Sequence, residues 1–291
     1  MSNETMPSST TSTHQTDRFH FDGGVAVVTG AASGLGLAIT RACLRKNMRV
    51  AMADIDAAGL NRLEAELGEE RCFGVVTDVR EPQALESLAD RTYAAYGRVD
   101  VLFNNAGVVV TRSVLETTIA DWRWMLDVNL HSVINGIAAF VPRMLRQDGE
   151  ARIVNTASAA GFLSEPYLGA YSVSKHAVVV LSETVHKELS RQGARLGVTI
   201  LSPAFVPTGI TNSERNRPVE YGDGTGSLSE VTRAAQAQLH KAIHSGRLTA
   251  EDVARIALDA VERRRLHVFT HSKIQAGIEA RMAEIAAGFA P

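Results

Sequence analysis

The sequence predicts a doubly wound α/β domain, with a parallel sheet of about seven strands and helices on both faces. Three observations carry this. From Gly24 onward, short β-branched runs alternate with amphipathic segments, the signature of repeated βα units. The strand runs are apolar on both faces, as strands in a covered parallel sheet are. A glycine-rich turn joins the first strand directly to the first helix.

The elements follow in order. VAVVTG (25–30) leads to a helix over about 34–47, and RVAMAD (49–54) to one over about 57–67. CFGVVTD (72–78) precedes a helix over about 82–96, and VDVLFNNAG (99–107) precedes a long one over about 119–146. ARIVNTAS (151–158) leads to a helix that contains YSVSK and ends near 191, and GVTILSP (197–203) is the sixth strand. Residues 207–227, rich in Pro, Gly, Asn and Arg, predict a long loop able to order over a substrate as a lid. Helices over about 228–245 and 249–264 precede the seventh strand, LHVFT (266–270), and a helix over about 273–287 follows. No repeat or linker marks a second domain, so residues 21–291 read as one unit. The Ser/Thr-rich start, with no apolar run, reads as a disordered tail over about 1–20.

Composition narrows the function classes. A 291-residue chain with 45% hydrophobic content can bury a sizeable core. Its formal net charge of -2 gives no broad attraction to nucleic acid or anionic lipid, and Arg263-Arg264-Arg265 reads as a solvated helix end. No apolar stretch approaches about 18 uncharged residues, so no membrane span is expected. Cys43 and Cys72 have neither metal nor redox spacing, which fits a reducing cytoplasm and no metal site.

The motifs indicate chemistry. TGAASGLG (29–36) places Gly30, Gly34 and Gly36 where a strand passes into a helix. Such a turn lets backbone N–H groups approach a pyrophosphate at the positive helix end, which points to a dinucleotide. Asp54 ends the second strand, where a carboxylate can accept from both hydroxyls of an adenosine ribose. It would repel a 2′-phosphate, and neither Ser33 nor Ile55 supplies a compensating cation, so NAD is favoured over NADP. Tyr171 and Lys175 lie four apart, on one helical face. An ammonium about 4 Å from the phenol, at an effective dielectric of about 20, favours the phenolate by roughly 4 kcal/mol before desolvation. A phenol of ordinary pKa about 10 then moves toward acid/base duty near neutral pH.

Taken together, TGAASGLG, Asp78, NNAG (104–107), Asn129, Ser158 and YSVSK resemble the short-chain dehydrogenase/reductase family, in order and spacing, over essentially all of 21–291. The resemblance implies a Rossmann-type fold and a catalytic tetrad of Asn129, Ser158, Tyr171 and Lys175. Tyr171 would exchange the substrate proton, Ser158 would hydrogen-bond the substrate oxygen, Lys175 would hold the nicotinamide ribose, and Asn129 would anchor a relay water. Cofactor contacts are implied for Gly30, Ser33, Gly34, Leu35, Gly36, Asp54, Asp78, Val79, Asn105, Ala106, Gly107, Tyr171, Lys175, Pro203, Val206 and Thr208. Asp78 would accept from the adenine amino group, and Asn105 would brace the sheet as much as touch ligand. Ala204 departs from the family, which has glycine after the proline of strand six, and this places the local turn in question.

Residues flanking the motifs, Val109, Ala160, Leu163, Tyr167, Phe205 and Ile210, are expected to line the substrate space. They are apolar apart from one phenol and include no cation to clamp a phosphate or carboxylate, although Arg215 and Arg217 in the loop could reach in. VNLHSVINGIAAFVPRM and RPVEYG look similar to segments of dehydrogenases of bulky secondary alcohols, of the aryl-ether Cα alcohol or terpenoid type. The resemblance also implies a homodimer or homotetramer. A 3-oxoacyl reductase acting on carrier-protein or CoA thioesters is an alternative whose usual NADPH preference conflicts with Asp54. A non-catalytic NAD-sensing regulator is another, and would have little need of all four tetrad residues.

Overall fold

The structure, a computed structural model, describes residues 18–222, 224 and 228–289. Seven strands, β1 (Val25–Thr29), β2 (Arg49–Asp54), β3 (Cys72–Val76), β4 (Val101–Asn104), β5 (Ala151–Thr156), β6 (Leu196–Ser202) and β7 (His267–Phe269), form one sheet in the order β3-β2-β1-β4-β5-β6-β7. Every pairing is parallel, from Val50 against Cys72 at one side to Leu201 against Val268 at the other. The order reverses between β1 and β4, so a crevice opens there beyond the carboxyl ends of the strands.

Alternate strand residues feed separate cores. Ala26, Val28, Val50 and Met52 pack with helices α1 (Gly34–Arg45), α2 (Ala57–Leu67) and α8 (Ala250–Glu262) on one face. Val27, Ala51 and Leu102 pack on the other face with α3 (Pro82–Tyr96) and α5 (Ser132–Met144). There Val178 and Val179 of α6 (Gly169–Arg191) also meet Ile200 of β6. This two-sided burial is the reason the strands read as unbroken apolar runs.

Three expectations are corrected. The helix over 119–146 is α4 (Ile119–Leu126), a π-helical turn (Asp127–His131) and then α5. By length and composition Ile119–Met144 could cross a membrane, contrary to the sequence reading, but here it is a core helix, with Trp124, Asn129 and Phe140 essentially inaccessible. The proposed tail ends earlier than residue 20, because Phe19 is buried, donates its N–H to Glu262 O at 3.1 Å and meets the Phe21 ring edge-on. The rest of that tail, residues 1–17, lies outside the described residues.

The predicted 207–227 loop consists largely of 3-10 turns, Gly209–Asn216 and Val219–Tyr221, and its positions 223 and 225–227 lie outside the described residues. Helix α7 (Glu230–His244) follows, and α9 (Gln275–Ala287) comes after β7. The loop is fixed to α4 through Asp121, which is wholly buried between two guanidinium groups. Arg217 Nη2 lies 2.5 Å from Oδ1 and Arg112 Nη1 lies 3.3 Å from Oδ2. Asp121 also caps its own helix, its carboxylate accepting from Thr118 N at 2.9 Å.

Removing the carboxylate would leave two buried cations facing one another. Asp121→Ala is expected to lose about 3–5 kcal/mol of stability, read from urea midpoints at constant slope. The Thr118 and Arg217 hydrogen bonds hold the Asp121 carboxyl below its ordinary range despite burial. Its stabilisation is therefore complete above the unfolded value of about 4 and is lost as pH falls through the depressed value. A loss under about 1 kcal/mol at neutral pH would show that the triad does not fix the loop.

Candidate active site

The crevice at the carboxyl ends of the strands is one cavity of about 660 Å³, reaching from Gly30 and Asp54 past Tyr171 to Ile274. Its floor is the turn between β1 and α1. Gly30 and Gly34 adopt φ of 67° and 53°, and a Cβ on Gly36 would lie 1.9 Å from Gly30 O. Only glycine permits that approach, and it brings the helix N-terminus to the cavity. Asp54 accepts from Ala32 N at 2.8 Å and Asp56 N at 3.0 Å while facing the same space. Its carboxylate therefore orders the glycine turn as well as offering itself to a ribose.

At the far wall, Asn105 is the brace the sequence suggested. Its Nδ2 donates to Thr29 O at 2.9 Å, while the backbone N–H groups of Asn105 and Ala106 donate to Thr29 Oγ1 at 2.9 and 3.0 Å. Asp78 lines the cavity, but both of its oxygens accept from Arg80, with Nη2 to Oδ2 at 2.6 Å. Arg80 reaches on to Glu220 at 2.7 Å and lies over the Tyr221 ring, and Tyr221 OH donates to Asp127 at 2.7 Å. The loop is thus tied to the Asp78 end of the cavity. Arg80, two residues beyond the strand-end aspartate, is a site residue the sequence reading missed.

The tetrad positions converge. Tyr171 and Lys175 are buried on α6, and Ser158 follows β5. Asn129 Oδ1 accepts from Val108 N at 2.8 Å, and its Nδ2 donates to Val108 O and Ser174 Oγ, each at 3.0 Å. The side chain is thereby spent on the protein, so a water held by Asn129 has to use its backbone. Lys175 Nζ donates to Thr156 O at 2.9 Å and stands 5.8 Å from the Tyr171 ring centre.

The electrostatics differ from the sequence expectation. Burial holds the Tyr171 phenol above its ordinary value, against which a hydrogen bond with Ser158 acts. Burial lowers Lys175 to about 8, so it stays mainly cationic at pH 7 and discharges as pH rises through that value. Lys175 faces the Thr156 carbonyl, and the protein alone does not lower the phenol.

Beyond β6, Pro203, Ala204, Val206 and Thr208 all line the cavity. Ala204 keeps negative φ, and the left-handed conformation falls instead on Phe205, at φ 45°. That is a strained conformation for a bulky residue, costing about 1–3 kcal/mol. Thr208 packs against the turn, its Cβ 3.3 Å from the point where a Gly34 Cβ would be.

Of the expected substrate residues, Val109, Ala160, Leu163, Phe205 and Ile210 line the cavity. Tyr167 does not; with φ 63°, its carbonyl accepts from Arg112 N at 2.8 Å and its side chain lies outside the cavity. Arg217 is likewise withdrawn onto Asp121 and the Trp124 ring, whereas Arg215 reaches the wall. Trp124, Leu239, Ile243 and Ile274 add apolar wall, and Glu165 and Lys273 add charge that the flanking positions did not indicate. Nothing in the sequence reading pointed to Trp124 or to the C-terminal residues.

The cradle, the strand-end carboxylate and the facing Tyr171 and Lys175 suit a nicotinamide dinucleotide. Comparisons agree. The short chain dehydrogenase pattern matches residues 24–218. A C alpha-dehydrogenase from a Sphingobium species is 31% identical over 274 residues, covering 93% of this chain and 88% of that protein. A D-threitol dehydrogenase from Mycolicibacterium smegmatis is 37% identical over 219 residues, covering 75% and 82%. The structure of a short chain dehydrogenase/reductase from Burkholderia phymatum, in complex with NAD, is 41% identical with a TM-score of 0.90, covering 94% of this chain and 98% of that one. Sequence pattern, relatives and fold converge, and the chain belongs to the short chain dehydrogenase family of oxidoreductases, with NAD as its cofactor.

Proposed function

We propose that the protein interconverts bulky, mostly apolar secondary alcohols and their ketones, preferring NAD to NADP. The observation that carries this reading is the continuity of the cavity. The space beside the glycine turn passes Tyr171 and is also lined by Val109, Trp124, Leu163, Ile243 and Ile274. Such walls gain free energy from apolar surface, about 25 cal/mol per Å² buried, and offer little to a small polyol. Arg215 has its Nη1 committed to Gly209 O and Asn212 O at 2.9 and 2.6 Å, which weakens it as a clamp for a substrate anion.

When bound, the oxidised dinucleotide would supply the hydride acceptor, held by the glycine turn, Asp54 and Lys175. Ser158 holds the substrate hydroxyl near Tyr171, the Tyr171 oxygen takes its proton during oxidation, and the same oxygen returns it in reduction. Lys175 orients the ribose and remains charged near pH 7. Asn129 braces the Val108 backbone opposite α6, and the π-helical turn lets its amide point inward. Buried free cysteines fit a reducing cytoplasm. Self-association as a dimer or tetramer is expected of such a chain.

Tyr171→Phe is expected to reduce turnover by about 10² to 10⁴ while NADH fluorescence still reports binding. Turnover within a few-fold of the parent would reject the proton-transfer role. On a panel of secondary alcohols, kcat/KM should favour aromatic and terpenoid-sized substrates over propan-2-ol and threitol. It should favour NAD over NADP, with Asp54→Ala narrowing the cofactor gap. Equal efficiency on propan-2-ol would remove the substrate proposal, and equal use of NADP would remove the cofactor preference.

A further inference from the structure

We infer that the protein carries a second ligand site, for a phosphate-type dianion, at the end of the sheet opposite the cofactor cavity. A cavity of about 370 Å³ opens where β5 and β6 begin, between α6 and the turn after α8. Arg152, Arg195, Arg264, His186 and Glu150 surround it. Among the described residues, three guanidinium groups and an imidazole thus line it with one carboxylate, in a chain whose net charge is -2.

Among the described residues the charge is not balanced locally. Glu150 is committed to Arg264, with Oε1 and Oε2 each 2.7 Å from a guanidinium nitrogen. Arg152 is 5% exposed, and no carboxylate among the described residues lies within ion-pair distance of it. Its Nη2 donates to neutral oxygens only, Val198 O at 3.0 Å, Thr199 Oγ1 at 3.1 Å and Arg265 O at 3.4 Å. Its Nε is buried and makes no hydrogen bond. A buried guanidinium with no carboxylate in direct contact is costly, and an unsatisfied N–H adds to the cost. Burial pulls Arg152 down to about 10, with the Arg264 charge acting in the same direction and the Glu150 carboxylate, beyond ion-pair distance, opposing it.

Why would the fold keep this arginine? Gly197 makes room for it, since a Cβ there would collide with the guanidinium. Arg195 sits just before β6, exposed and without an ion pair among the described residues, where its fork can close over a ligand held by Arg152. Planar forks match the oxygens of phosphate and phosphomonoesters bidentately. The cavity is smaller than the one that suits the dinucleotide, so a phosphate, free or carried on a small organic group, is the fitting occupant.

The test titrates inorganic phosphate into the full-length protein at constant ionic strength, with chloride as control. Saturating NADH is present so that the glycine cradle is filled. Calorimetry should show one saturable site per chain and the thermal midpoint should rise. Arg195→Gln, an exposed substitution outside the catalytic cavity, should weaken phosphate binding about tenfold or more while turnover with NAD is unchanged. His186→Gln should weaken it less. A parallel titration with phenyl phosphate separates the sources, since tighter binding than inorganic phosphate identifies a phosphomonoester site and equal or weaker binding a free-phosphate site. Absence of saturable binding beyond the chloride control, or binding that Arg195→Gln leaves unchanged, would overturn the proposal.

Discussion

The Thr29 hydroxyl at the end of β1 holds together the place where the sheet reverses direction. It accepts from the N–H groups of Asn105 and Ala106 and donates to Phe103 O at 3.3 Å, clipping β1 to the chain leaving β4. The two strands diverge beyond that clip, and the glycine turn and NNAG face one another across the crevice. Gly30 meets Ala106 so closely that an added Cβ would lie 3.0 Å from Ala106 Cα. The α1 N-terminus and Asp54, which accepts from Ala32 N, adjoin this contact. A parallel sheet covered on both faces leaves only its ends for such a site.

The reacting end is built by burying polar groups and satisfying them with backbone. Lys175 is held by Thr156 O, Asn129 by Val108 and Ser174, and Ser174 in turn by Tyr171 O at 2.7 Å. These bonds join β5, α6 and the π-helical turn into one rigid frame. The frame orients Tyr171, and burial holds its phenol above its ordinary value against the Ser158 hydrogen bond. The buried Arg112–Asp121–Arg217 triad secures the substrate wall in a comparable way, by pairing charge instead of by apolar packing.

Much of this was legible in the sequence because the motifs are local. A glycine turn after a strand, an aspartate at a strand end and a tyrosine one helical turn from a lysine each declare their chemistry within a few residues. All seven strands follow from apolar runs that water would disfavour. What escaped the reading depends on distant partners. Asn129 was expected to anchor a relay water, but the side-chain reach of its amide across 21 residues to Val108 was not visible. Arg80 showed no periodicity to mark it, and its role appears only when Glu220 arrives from 140 residues away. Tyr167 was placed in the substrate wall by proximity to the catalytic helix, yet its left-handed backbone turns the ring elsewhere. Ala204 signalled a difficulty at the turn after β6, and the strain was found one residue later, at Phe205.

The central claim is that the cavity brings the carbinol carbon of a bulky alcohol to the nicotinamide while Tyr171 takes the hydroxyl proton. Its most direct measurement uses a bulky secondary aryl alcohol deuterated at the carbinol carbon, incubated with enzyme and NAD, with the reduced cofactor recovered for mass and proton NMR analysis. The account predicts one deuterium on the nicotinamide ring for each ketone formed, in a single stereochemical position, and none in the control with unlabelled alcohol in deuterated water. Reduced cofactor free of substrate deuterium, or ketone formed without reduced cofactor, would contradict it.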